Sequence, residues 1–219
     1  MRTRVKICGL KSMEDAALCL RLGADYLGFV AEYPVPVPWN LKRAEAEALL
    51  AAANRLAPGR TCVVTGGKPA AVVELARRLR PAFVQLHHRE TAAETGVIAA
   101  ALRREGIKLI RAVFPDMEAG AIRAYAASGA AALLLDPRAP ESAASGGAAD
   151  AALFRRVAAL SELPLILAGG VTADNVRRLL AATGAGFIDI MTGAESAPGI
   201  KDAGKIQAVL RAAREQDRV

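Results

Sequence analysis

The feature that most restricts the fold is a rhythm. Short, mainly apolar runs alternate eight times with longer stretches of helical period. The runs fall at 5–8, 26–30, 61–65, 83–87, 107–114, 132–136, 163–168 and 187–191. The helical stretches fall at 13–22, 42–54, 69–79, 91–104, 117–127, 150–160, 173–182 and 203–215. The runs do not alternate polar with apolar, so they read as parallel strands covered on both faces. Eight such strand–helix units close into a (β/α)8 TIM barrel, a single α/β domain over residues 1–219. An open doubly wound sheet would carry a Gly-rich first turn, and Gly9 alone does not make one.

Local signals fit the rhythm. Ser12 stands at an N-cap position with Asp15 three residues on, and Gly23 closes the first helix. Pro34, Pro36 and Pro38 exclude helix or central strand over 31–40, which reads as an extended loop. Loops are also expected at 137–147, rich in Gly, Ser and Ala, and at 192–199.

Composition narrows the partners. Aromatic content is only 4%, so the core must be built from Ala, Leu, Val and Ile. Three Cys without a CxxC spacing argue against a disulfide framework or structural zinc and for a reducing compartment. No signal-like segment opens the sequence, and no apolar run nears the roughly 20 residues that span a bilayer. A cytoplasmic protein without membrane contact is expected. Net charge is +7, but the basic residues are spread in pairs such as Arg77-Arg78 and Arg155-Arg156. Without a dense basic run or interleaved aromatics, nucleic acid is not expected as a partner. A phosphorylated small molecule suits the sign of the charge.

In a barrel the site lies at the C-terminal ends of the strands. The residues there are Cys8, Gln85, His87, Arg111, Asp136, Gly169, Gly170 and the segment from Asp189 to Gly193. Cys8 reads either as a catalytic base at the barrel mouth or as one more small buried residue. Asp136 ends an Ala-Leu-Leu-Leu run. It reads as a general acid whose pKa the apolar strand raises, or as a loop cap or partner of Arg138. Gln85 and His87 share a strand face and are assigned to the pore. His87 and His88 point to opposite faces, so no metal site is expected. Arg111 reads as a contact for an anionic group or as a partner of a nearby carboxylate. Gly169-Gly170 and Thr192-Gly193 offer backbone N–H groups to a phosphate.

Lys6-Ile7-Cys8-Gly9, Leu27-Gly28-Phe29-Val30, Val84-Gln85-Leu86-His87, Leu133-Leu134-Leu135-Asp136, Ala168-Gly169-Gly170-Val171 and Ile188-Asp189 occur in order. In sequence and spacing they resemble the phosphoribosylanthranilate isomerases over nearly the whole chain. The resemblance implies a cofactor-free Amadori rearrangement in tryptophan biosynthesis; a monomer or homodimer is expected. It implies Asp136 as the acid that opens the sugar ring and Cys8, as thiolate, as the base that takes the C2′ proton. Thiolate is scarce at neutral pH unless the site favours it.

The sequence also departs from that family. The loop after the second strand carries no Arg, and Lys42 or Arg43 are the candidates to replace one that would hold the anthranilate. Val64-Thr65-Gly66, His88 and Met191-Thr192-Gly193-Ala194-Glu195 stand where other residues are usual. Two other readings stay open: a related isomerase whose apolar, proline-rich loop around Trp39 binds a different phosphorylated substrate, and a non-catalytic binder of phosphorylated metabolites.

Overall fold

A computed structural model describes residues 2–138 and 148–216. Most of the loop expected at 137–147 therefore lies outside the described residues. The strands are β1 (Arg4–Ile7), β2 (Tyr26–Val30), β3 (Thr61–Thr65), β4 (Phe83–Leu86), β5 (Lys108–Val113), β6 (Ala132–Leu135), β7 (Leu165–Leu167) and β8 (Phe187–Ile190). The helices are α1 (Met13–Arg21), α2 (Arg43–Leu56), α3 (Pro69–Leu79), α4 (Ala92–Arg104), α5 (Ala119–Ala127), α6 (Ala151–Ala158), α7 (Val176–Thr183) and α8 (Ala203–Gln216). Each strand pairs in parallel with the next, and β8 returns to β1, which closes the barrel.

Helix ends follow their local chemistry. Ser12 Oγ accepts the Asp15 N–H at 3.1 Å to start α1. Thr91 and Glu94 form a capping box at α4, and Pro69 opens α3. Helices α5 and α7 start two to three residues later than their apolar period suggests. The 192–199 segment is not a plain loop. It holds a 3-10 turn at Thr192–Ala194 and the first strand of an antiparallel hairpin, β9 (Glu195–Ala197) with β10 (Ile200–Lys201). Strands of two and three residues leave no readable period.

Strand parity divides the interior. Val5, Ile7, Leu27, Phe29, Val63, Leu133, Leu135 and Ile188 face outward into the layer under the helices. The opposite parity fills the pore in levels. At the bottom Tyr26 stacks on Phe187 and meets Phe83 edge-on, with ring centroids 5.1 and 5.4 Å apart. The middle level is charged. Lys6 Nζ lies 3.0 Å from Asp189 Oδ2, its register neighbour on β8, and also donates to Gln85 Oε1. The top level opens into the cavity described below. No described helix is long and apolar enough to cross a membrane.

Candidate active site

A cavity of about 630 Å3, its open mouth included, lies at the C-terminal ends of the strands. Cys8, Gln85, His87, Asp136, Gly169, Gly170, Thr192 and Gly193 all line it. Arg111 does not. On β5 and just past it the pore parity belongs to Ile110, Ala112 and Phe114, so Arg111 points the other way and is fully buried. Its guanidinium donates to the backbone oxygens of Leu86, His88 and Glu90, lies 3.4 Å from Glu90 Oε2, and sits 4.4 Å from the Tyr125 ring centroid. The expected substrate contact at Arg111 is corrected: this cation clamps the chain that follows β4 and so steadies His87.

Cys8 extends β1 by one residue; its N–H donates to Ile190 O on β8. It is 4% exposed, with the sulfur at the cavity floor. The neighbouring strand makes room for it, because a Cβ at Gly28 would stand 2.6 Å from Cys8 Sγ. Burial pushes the thiol up to about 12, against the pull of the Lys6 ammonium beneath it. The ligand-free site therefore holds a thiol, not the thiolate that a base requires.

Asp136 follows β6. Burial alone would raise its pKa, as the apolar strand suggested. Hydrogen bonds and charge from His87 and Arg138 outweigh burial and hold the carboxyl well below the usual carboxylate range. The expected upward shift is thus reversed, because an apolar strand says nothing of what the next loop folds back over it. Arg138 Nε and Nη2 each lie 2.9 Å from a different Asp136 oxygen. His87 Nε2 is 3.5 Å from Oδ2, and Gln85 Nε2 lies 2.9 Å from His87 Nδ1.

The β7 and β8 rims are shaped by glycine. Gly169 has φ +84, and a Cβ there would strike Pro137 at 2.2 Å. At Gly193 a Cβ would stand 1.9 Å from Val171 O, so the two rims touch. Asn175 fixes the β7 rim by donating to Gly170 O at 2.8 Å and accepting the Thr172 N–H at 2.9 Å.

The opposite wall is apolar: Val30, Tyr33, Val37, Trp39 and Val64. The proline-rich loop supplies most of it, as the ligand contact expected around Trp39 requires. Trp39 Nε1 donates to Glu195 Oε1 at 2.8 Å, and Lys201 Nζ lies 2.6 Å from the same oxygen. The second and eighth rims are thereby tied. Arg43, a candidate anion contact, pairs instead with Glu32 and Glu74 and does not line the cavity; nor does Lys42. Among the described residues, no cluster of three or more His, Cys, Asp or Glu is placed to hold a metal.

Eight parallel strands and a cavity at their C-terminal ends place the protein among the (β/α)8-barrel enzymes. The N-(5'phosphoribosyl)anthranilate (PRA) isomerase family matches residues 5–212, and the chain belongs to that family. It is 35% identical to the N-(5'-phosphoribosyl)anthranilate isomerase of Nitrobacter winogradskyi, over 96% of this chain and 92% of that one. It is 37% identical to the isomerase of Bordetella petrii, over 99% and 97%. The crystal structure of phosphoribosyl anthranilate isomerase from Thermotoga maritima superposes with a TM-score of 0.81 at 28% identity, over 97% of this chain and 99% of that one. Another isomerase structure, solved with reduced 1-(o-carboxyphenylamino)-1-deoxyribulose 5-phosphate, gives a TM-score of 0.78 at 26% identity, over the same shares.

Proposed function

We propose that this protein isomerises N-(5′-phosphoribosyl)anthranilate in tryptophan biosynthesis, with Asp136 as acid, Cys8 as base and no cofactor. The observation that carries this reading is the division of one cavity. Glycine rims suited to a phosphate stand on one side, an apolar wall suited to an aromatic ring on the other, and Cys8 and Asp136 also line it.

In the proposed sequence Asp136 gives its proton to the ring oxygen of the sugar. The C1′–O bond breaks, its electron pair stays on oxygen as a hydroxyl, and the nitrogen lone pair forms the C1′=N bond. Cys8, once it has lost its own proton to solvent in the occupied site, takes the C2′ proton as thiolate. The C–H pair becomes the C1′=C2′ bond, the C=N pair returns to nitrogen, and the enolamine tautomerises to the ketone. Gln85 orients His87, and His87 holds the Asp136 carboxyl toward the cavity. Gly169, Gly170, Thr192 and Gly193 seat the phosphate through backbone N–H groups.

The whole chain, 1–219, is taken as one barrel domain acting in the cytoplasm as a monomer or homodimer. A structure of the Thermotoga maritima relative is described as that of monomers generated from a dimeric enzyme, which lends weight to the second state.

The test is turnover of phosphoribosylanthranilate, followed by loss of its fluorescence. The wild type is expected to convert it, and Cys8→Ser and Asp136→Asn each to lose about 10²–10⁴-fold in kcat. A folded wild type without turnover would remove the reading.

A further inference from the structure

Asp136 has to deliver a proton, yet both its oxygens are engaged. Arg138 Nε donates to Oδ1 and Nη2 to Oδ2, each at 2.9 Å, and the Arg138 N–H adds a third bond to Oδ1 at 3.0 Å. A guanidinium only donates. It holds the group as a carboxylate and leaves neither oxygen to carry a proton toward a ligand. Before Asp136 can act as an acid, the Arg138 side chain has to leave it.

The cavity suggests what draws that side chain away. Among the described residues lining it, Arg138 is the one Arg or Lys. Its side chain is 10% exposed, and the neighbours that favour its charged form include Asp189 and Cys8 as well as Asp136, so it faces the pore. The substrate of the reading above carries two anions, a sugar phosphate and a ring carboxylate. The glycine rims suit the phosphate. The apolar wall of Val30, Tyr33, Trp39 and Val64 has no charge to offer the carboxylate. A guanidinium fork meets any carboxylate in the same two-point geometry, so exchanging one for another loses no pairing.

We propose that Arg138 is the specificity residue of this site: it leaves Asp136 to receive the carboxylate of the substrate's aromatic ring, and this exchange frees Asp136 to take up from solvent the proton it delivers to the ring oxygen. The proposal rests on the functional reading above. It adds that recognition of the carboxylate and arming of the acid are one event. A substrate without the carboxylate then loses kcat as well as binding, because its acid stays locked.

The test compares paired ligands in the full-length protein. The probes are reduced 1-(o-carboxyphenylamino)-1-deoxyribulose 5-phosphate and the same compound without its carboxyl group. Affinities are read by calorimetry for the wild type, Arg138→Gln and Arg138→Lys. The wild type is expected to favour the carboxylated probe about 10- to 100-fold, the worth of a charged hydrogen-bonded pair. The preference should fall to within a few-fold of unity in Arg138→Gln and return in part in Arg138→Lys, which also serves if the Gln variant does not fold. A preference unchanged in the variants, or an equal loss for both probes, overturns the proposal; the second result would assign Arg138 to the phosphate. Turnover by the wild type decides the functional reading separately, because these affinities are read without catalysis. Where the wild type is active, kcat for phosphoribosylaniline should lie at least tenfold below kcat for phosphoribosylanthranilate.

Discussion

Gly28 and Cys8 meet on adjacent strands at a separation that only glycine permits: a Cβ at position 28 would lie 2.6 Å from Cys8 Sγ and 3.0 Å from its Cα. The missing side chain on β2 is what lets the thiol of β1 occupy the cavity floor. Gly28→Ala is therefore expected to displace the sulfur while the barrel persists. Overpacking of this kind costs about 1–3 kcal/mol, but kcat should fall at least 100-fold. Thermal melts alongside turnover check this; a variant of near wild-type kcat would show that the sulfur's position is immaterial.

Cys8 is a thiol in the ligand-free site, pushed up to about 12 by burial. Iodoacetamide should alkylate it about a thousandfold more slowly at neutral pH than an unperturbed cysteine, since only thiolate reacts. The rate, followed by mass spectrometry, should still be climbing above pH 10. A plateau near pH 8 would contradict the assignment.

Gly193 and Val171 hold the two glycine rims in contact, with room for no side chain between them. Gly193→Ala has to part the rims. The expected result is a KM for the phosphorylated substrate raised about tenfold or more, with a smaller change in kcat, and weaker competitive inhibition by inorganic phosphate. Steady-state kinetics read both. An unchanged KM would separate the rims from the phosphate.

Stability should fall at both ends of the pH scale. Cys19 is fully buried on α1, and burial pushes its thiol up to about 12. The unfolded chain loses this proton near pH 9 and the folded chain keeps it. The stabilisation is thus complete below about pH 9 and is lost as pH rises toward 12. In denaturant titrations Cys19→Ala should remove about 1.4 kcal/mol per pH unit from the alkaline slope. Asp136 acts in the other direction, with a folded pKa below the unfolded one. Its contribution is present above about pH 4 and is lost on further acidification, so Asp136→Asn should flatten the acid limb. Slopes equal to wild type would refute either assignment.

Much of the barrel was legible because the strands are mostly apolar on both faces and each helix on one. That same uniformity hid parity. On β5, Lys108-Leu109-Ile110-Arg111-Ala112-Val113 gives no sign of which residues face the pore. Arg111 looked like a site residue for being polar, yet the layer under the helices also accepts a cation where carbonyls at the end of β4 and just after it receive its N–H groups. On β1, Lys6 shares parity with Cys8, and its partner Asp189 is distant in sequence and adjacent only through barrel closure. Asp136 was visible as a strand-end carboxylate. The sign of its pKa depended on Arg138, two residues on, whose direction no periodicity encodes. The loop around Trp39 was legible as a ligand contact from its apolar character, but Tyr33 was not: prolines announce a loop without telling which of its side chains form the wall.

Trp39 is the only tryptophan in the chain, and it stands on the cavity wall with its indole N–H held by Glu195. Red-edge ultraviolet excitation thus addresses a single indole, and that indole is at the site. Quenching, lifetime and anisotropy will each report occupancy there with no second tryptophan to separate, and no label has to be introduced to see a ligand arrive.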